Sequence, residues 1–210
     1  MSRYLTNVII ATDDERIADE ARAFKAQVRM TRPDHPSGTD RVAEVASADT
    51  ADYVVNIQGD EPLIDPNAID ATILSLLGTP DVFMGTLKKK IESEREFTNP
   101  NVVKVVTDHL GNAIYFSRSP IPYVRDDEER AKTTHFKHIG LYIYQREFLL
   151  GYSDLQVGIL ERAERLEQLR ALENGYKIRV VETEYDSLGV DTPEDLEKVS
   201  KLFSFVGPKG

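Results

Sequence analysis

The chain has 210 residues, 40% apolar and 30% charged, with 26 basic against 36 acidic side chains and a net charge of −10. That length suits one domain with a substantial core, and the acidic balance argues against nucleic acid or an anionic membrane as partner, because phosphate backbones need a basic face. A small polyanionic substrate stays open if a bound cation supplies positive charge. The absence of cysteine excludes a disulfide framework, a thiolate nucleophile and a thiolate metal site, and it fits a reducing cytoplasm. The apolar run NVIIA near the start is too short for a signal peptide or a membrane span.

Residues 7–11 (NVIIA) predict a buried strand, and Thr12-Asp13-Asp14-Glu15 fits a capping box. The next helix carries Ile17, Ala21 and Phe24 on one apolar face. A short strand at 28–30 leads into a turn-rich loop, 31–41, and a short helix near 42–48. YVVNI (53–57) predicts another strand, Asp65-Pro66 an N-cap with proline at N1, and Ile69, Ile73 and Leu76 the buried stripe of the helix they open. Residues 82–87 read as a further strand. This alternation argues for an α/β fold with a mostly parallel sheet and helices on both faces. Residues 102–119 then read as a hairpin turning near Leu110-Gly111-Asn112, and FKHIGLYIYQ (136–145) as a strand. They predict a single domain over 1–210 with a β-rich insertion at about 100–146, of the kind that covers a site or joins two subunits. The end returns to α/β: a long helix over 160–173, the strand KIRVVET and a last helix from Pro193.

Gln58-Gly59-Asp60-Glu61 interrupts the chain just after an apolar strand, where open α/β sheets gather ligand-binding loops. A solvated turn is the competing reading. In the run from Leu188 to Asp195, Thr192 serves as N-cap, Pro193 as N1 and Asp195 as the N3 acid. Asp191 is then left without a capping duty and is free to meet Asp60 around Mg²⁺, a hard ion held by few carboxylates and by substrate phosphates. Ser37, Gly38, Thr39 and Arg41 offer hydroxyls, a flexible residue and a guanidinium ahead of a helix, though alone they read as an ordinary turn. Arg118 follows an apolar strand and suits bidentate binding of a carboxylate or phosphate; a surface ion pair with the acidic loop is the alternative. His138 and Tyr142 share one strand face, with Ile139, Leu141 and Ile143 on the other. Roughly 13 Å apart along an ideal strand, they line one pocket without sharing a proton. Glu161 and Arg165 form an i,i+4 pair on a helix whose charges read mostly as a solvated face, with Glu167 and Gln168 beside its apolar stripe. There is no GxGxxG, Walker loop, HExxH or nucleophile elbow.

The strings ATDDERI, TRPDHPSGTDR, NIQGDEPLI, NPNVVKVV, YFSRSPIPY, FKHIGLYIY, LEQLR and GVDTPEDLEKV occur, from about residue 7 to 202, in the order and spacing of the CMP-KDO synthetases, or 3-deoxy-manno-octulosonate cytidylyltransferases. Any one string is weakly specific, but the set in register is very specific. FKHIGLYIY and LEQLR resemble this family more than the related CMP-sialic acid synthetases. The resemblance implies a Rossmann-like fold of the nucleotide-diphospho-sugar transferase type with a dimerisation lobe. It further implies a cytoplasmic homodimer, substrates CTP and the eight-carbon acidic sugar KDO, products CMP-KDO and pyrophosphate, Mg²⁺ as cofactor, and a role in lipopolysaccharide synthesis. Carried over by motif, Asp60 and Asp191 would hold Mg²⁺ and, with Arg118, form the catalytic set. Ser37, Gly38, Thr39 and Arg41, beside Asp60, would border the nucleotide. Gln58, Arg118, His138, Tyr142, Glu167 and Gln168 would shape the sugar pocket, with Arg118 facing the sugar's carboxylate. The sugar's anomeric hydroxyl would attack the α-phosphorus, so positioning and charge neutralisation carry the catalysis.

Two features depart from the family pattern. The family opens with a first strand and a glycine- and arginine-containing loop that grips the triphosphate, whereas this sequence begins at what resembles the second strand. The expectation is that the chain as given lacks that grip and releases little pyrophosphate. A non-catalytic nucleotide- or sugar-acid-binding subunit is the competing class. In addition, Gln156 to Glu161 (QVGILE) stands where the family often has Ser-Pro-Leu-Glu, which loosens the helix entry.

Overall fold

Residues Phe136–Gln145 (FKHIGLYIYQ) alternate two sets of large side chains, so the strand they form needs cover on both faces. It becomes the centre of the sheet. The computed structural model describes residues 2–130, 132–186, 189, 190 and 192–205. In chain order it contains β1 (Ile9–Thr12), α1 (Glu15–Ala23), β2 (Gln27–Met30), α2 (Gly38–Ser47), β3 (Tyr53–Asn56), α3 (Pro66–Leu76) and β4 (Val82–Lys90). Then come α4 (Glu94–Thr98), β5 (Lys104–Thr107), β6 (Ala113–Ser117), α5 (Asp127–Arg130), β7 (Phe136–Gln145) and α6 (Arg146–Leu150). A 3-10 turn (Tyr152–Asp154) precedes α7 (Ile159–Glu164), α8 (Leu169–Glu173), β8 (Lys177–Glu182) and α9 (Pro193–Phe205).

β7 pairs antiparallel with β4, β3 and β5, β8 lies parallel beyond β4, and β6 closes the hairpin with β5. By these pairings β3, β4, β5 and β8 point the same way while β6 and β7 are reversed, so the sheet is mixed and most of its neighbouring strands pair antiparallel. The strands of the 100–146 insertion are therefore woven into the sheet. Tyr144, Met84, Phe116 and Ile178 pack one face against Leu149, Tyr152 and Leu169. Ile139, Leu141, Ile143 and Leu87 pack the other against Ile69, Ile73 and Leu76 of α3. β1 and β2 form a separate parallel pair. Among the described residues no ladder joins β1 to β3, although α2 packs against both.

Local structure departs from the sequence expectations in three places. Asp14, not Thr12, caps α1, its carboxylate accepting from Arg16 N–H; Ile17 and Phe24 stay 53% and 65% exposed, so only Ala18 and Ala21 of that helix are buried. α2 starts at Gly38, earlier than its apolar stripe, because Ser37 supplies the cap. The long helix expected over 160–173 is broken. Arg165 takes the left-handed conformation, φ 54°, and α8 begins at Leu169. Glu161 pairs with Arg170 rather than with Arg165, because the break carries Arg165 off the helical spacing that the i,i+4 pair requires.

The entry to α7 is capped from a distance. Gly158 is the N-cap and has no side chain to offer, so the Glu173 carboxylate accepts from the N–H groups of Leu160 and Glu161, both at 2.9 Å. A Cβ on residue 158 would occupy the space of that carboxylate. Replacing Gly158→Ala should therefore lower the stability by about 1 kcal/mol, the usual worth of a cap, measured as a shift of the urea midpoint. With Glu173→Ala already in place, the same glycine replacement should cost far less, since the carboxylate it displaces is gone.

Candidate functional site

The N-terminus of α2 brings Ser37, Gly38 and Thr39 beside the break between α7 and α8. Ser37 Oγ lies 2.7 Å from Asp40 Oδ2 and 3.2 Å from Glu167 Oε1, and its single proton serves one of these carboxylates at a time. Burial raises the Glu167 pKa, opposed by the Thr39 hydroxyl and the nearby Arg170 charge. The carbonyl of Glu167 accepts from Tyr152 Oη–H at 2.9 Å and from Arg170 N–H at 3.0 Å, so its backbone is held while its side chain reaches towards α2. Gln168 is buried, with 4% exposure, and borders the cavity described below; its amide has no hydrogen-bond partner among the described residues.

β7 supplies the opposite wall. Thr86 pairs with Tyr142 while Leu87 pairs with Ile139, so two extra residues of β7 bulge between them. Face parity survives the bulge because two residues are added, but the strand is shortened against its partner. The His138 and Tyr142 rings therefore lie 5.4 Å apart, far closer than the 13 Å of an uninterrupted strand. Thr86 Oγ1 donates to Leu141 O at 2.8 Å, which leaves the oxygen to accept from His138 Nε2, 2.9 Å away. His138 is thus the neutral Nε2–H tautomer, with Nδ1 as an acceptor. Burial holds its pKa down to about 3. Burial also raises the phenol pKa values of Tyr142, Tyr144 and Tyr152.

Between these walls lies a cavity of about 140 Å³, many times the space one water needs. Six of the sequence candidates meet at it: Gly38, Thr39, Gln58, Tyr142, Glu167 and Gln168. Ser37 and His138 join through their contacts with Glu167 and Tyr142. Sequence reasoning missed Asn56, Met84, Tyr144 and Tyr152. Asn56 was visible as a lone amide ending an apolar strand, and Tyr144 as the next residue on the Tyr142 face; Met84 and Tyr152 carried no such signal.

Asp60 lies beyond β3, exposed, in the turn closed by Glu61 N–H on Gln58 O. Its carbonyl accepts from Val190 N–H at 2.9 Å, so the loop after β3 and the loop before α9 are bonded together. Asp191 lies outside the described residues. Thr192 caps α9 as expected, its hydroxyl accepting from Asp195 N–H while the Asp195 carboxylate accepts from Thr192 N–H. Two arginines are occupied within the protein. Arg41 Nη1 lies 3.1 Å from Asp13 Oδ1 and bonds Thr31. Arg118 donates to the carbonyls of Glu164, Arg165 and Pro100, and neither it nor Arg41 lines the cavity. The alternative reading of Arg118, an ion pair with the acidic loop, is not found among the described residues, since the carbonyls at the end of α7 take its donors instead.

Residues 1–178 match the family described as cytidylyltransferase. Over 203 residues the chain is 71% identical to the 3-deoxy-manno-octulosonate cytidylyltransferase of Solibacter usitatus, covering 97% of this chain and 80% of that protein. The chain belongs to the 3-deoxy-manno-octulosonate cytidylyltransferase family. The cytidylyltransferase of the same description from Geobacter metallireducens is 53% identical over 208 residues, covering 95% and 82% of the two chains. A solved CMP:2-keto-3-deoxy-manno-octonic acid synthetase complexed with CTP superposes with a TM-score of 0.91 at 41% identity, covering 99% of this chain and 84% of that one. HddC from Yersinia pseudotuberculosis, at 14% identity and a TM-score of 0.62, shares the fold. This cytidylyltransferase fold thus carries its cavity between the start of α2, the end of β3, β7 and the α7–α8 break.

The depressed His138 pKa has a consequence for stability. In the folded chain the imidazole stays neutral down to about pH 3, whereas its ordinary value is 6.5. Below that ordinary value the unfolded chain binds the extra proton, so the contribution is fully present above it and is lost as pH falls. Stability should therefore decline less steeply in His138→Gln than in the parent as pH falls from 6.5, read from urea denaturation at stepped pH. An equal slope for the two proteins contradicts the assignment.

Proposed function

We propose that this chain transfers the cytidylyl group of CTP to KDO and releases pyrophosphate. The observation that carries this reading is the 71% identity, along 97% of the chain, to a 3-deoxy-manno-octulosonate cytidylyltransferase. The anomeric hydroxyl of the sugar attacks the α-phosphorus, a P–O bond forms, and the bond to pyrophosphate breaks. Ser37, Gly38, Thr39 and Arg41 border the nucleotide in this reading. Gln58, His138, Tyr142, Glu167 and Gln168 take the sugar. The buried Gln168 amide at the cavity and the neutral His138 beside Tyr142 suit a hydroxyl-rich ligand better than an apolar one. Arg118 has three N–H groups on carbonyls and two left for the sugar's carboxylate.

Asp60 and Asp191 are the proposed Mg²⁺ ligands. Two observations support this: the Asp60 carboxylate is exposed with no hydrogen-bond donor among the described residues, and its backbone is bonded to the residue before Asp191. Among the described residues no group of three or more acidic or imidazole ligands could hold a metal by itself, in keeping with an ion that relies on phosphate oxygens. When bound, Mg²⁺ would offset the charge of the triphosphate and of the departing pyrophosphate. The reading extends to a homodimer in the cytoplasm serving lipopolysaccharide synthesis, on the strength of the motif resemblance.

β1 and β3 lie under the same helix without pairing. The enzyme should release pyrophosphate from CTP faster with KDO than without it. It should prefer KDO to sialic acid, and Asp60→Asn or Asp191→Asn should lower the rate by about 100-fold or more. Release with sialic acid alone would move the chain to another substrate class. Binding of KDO without any release would favour the non-catalytic subunit.

A further inference from the structure

Arg170 and Glu161 form a two-point ion pair that the reaction as described does not use. Arg170 Nε and Nη2 reach the two Glu161 carboxylate oxygens at 2.9 and 2.6 Å, and each side chain is only 12% exposed. The guanidinium lies over the Tyr152 ring, 5.3 Å from its centroid. Glu161 is held at both ends: its N–H by Glu173, and its C=O by the N–H groups of Arg165 and Leu166. Its carbonyl thus anchors the left-handed turn that ends α7. On the other side, Arg170 N–H and Tyr152 Oη–H both bond the carbonyl of Glu167. The ion pair spans the turn whose next two residues enter the cavity.

We infer that Arg170 and Glu161 are positioning residues for the sugar side of the cavity, a clamp across the helix break that fixes where Glu167 and Gln168 point. This rests on the assignment of those two residues to KDO. The geometry makes the clamp directional. Arg170 meets Glu161 in a fork that an ammonium cannot reproduce, and its guanidinium lies over a tyrosine that in turn holds Glu167. Loosening the turn by about 1 Å would misplace both sugar-facing side chains, an error that can cost on the order of 100-fold in a reacting complex. Among the described residues, the start of α2 is bonded to this turn through the Glu167 side chain.

The test measures affinity for KDO, with CTP replaced by a non-reacting analogue at saturation, and separately affinity for the analogue, by calorimetry on the parent protein, Glu161→Gln, Arg170→Lys and Arg170→Met. Circular dichroism melts confirm which variants fold. The nearly isosteric Glu161→Gln keeps the test alive if Arg170→Met does not fold. Expected is a loss of KDO affinity of about tenfold to 100-fold in Arg170→Met and Glu161→Gln, a partial recovery in Arg170→Lys, and analogue affinity within about twofold of the parent. KDO affinity unchanged in folded variants overturns the clamp while leaving the functional reading intact. Equal loss for both ligands also overturns it, by reducing the pair to a general structural contact. A parent protein that binds the analogue but not KDO overturns the functional reading and the clamp with it.

Discussion

β7 is bonded along one edge to β4 and along the other first to β5 and then to β3, and this placement organises both the core and the cavity. A strand so enclosed must satisfy every backbone group, yet the bulge opposite Thr86 and Leu87 leaves carbonyls without ladder partners. The Thr86 hydroxyl answers that need, lying 2.8 Å from Leu141 O and 3.2 Å from Ile139 O, and the oxygen then accepts from His138. One chain of hydrogen bonds thus repairs the sheet, selects the imidazole tautomer and sets the floor of the cavity.

The α7–α8 break serves the opposite wall. A continuous helix would have placed Glu167 and Gln168 two turns beyond Leu160 on a regular surface; the left-handed Arg165 redirects the chain so that both side chains enter the protein. Bringing a carboxylate and an amide into a buried cavity wall costs desolvation, on the order of 1–3 kcal/mol for a polar group left unpaired. The clamp of Arg170 on Glu161 and the remote cap from Glu173 hold the backbone in place against that cost. Buried polar groups left open are what a site for a hydroxylated ligand requires, and they are tolerated only where the surrounding scaffold is stiff.

Charge is distributed in the same spirit. Arg41, Arg118 and Arg170 all stand near the site, yet Asp13 takes the first, backbone carbonyls the second and Glu161 the third. An acidic chain, net charge −10, that commits these guanidiniums internally leaves much of the neutralisation of a polyanionic substrate to a cation. The exposed Asp60, bonded through its backbone to Val190, fits the cation part of that arrangement.

Local chemistry was legible wherever one segment decided the outcome. The sequence alone determined the caps at Asp65 and Thr192, the alternation of β7, the α/β class and the family, because capping, periodicity and motif order depend only on near neighbours along the chain. It also singled out six of the residues that meet at the cavity. Contacts between distant segments were settled by the tertiary structure alone. The bulge against β4 brought His138 and Tyr142 to less than half their expected separation, and Glu173 reached back to cap α7. Arg170 drew Glu161 away from its helical neighbour, and carbonyls rather than acids claimed Arg118. Each of these outcomes turns on which partner is nearest in space, and periodicity along one segment carries no record of that.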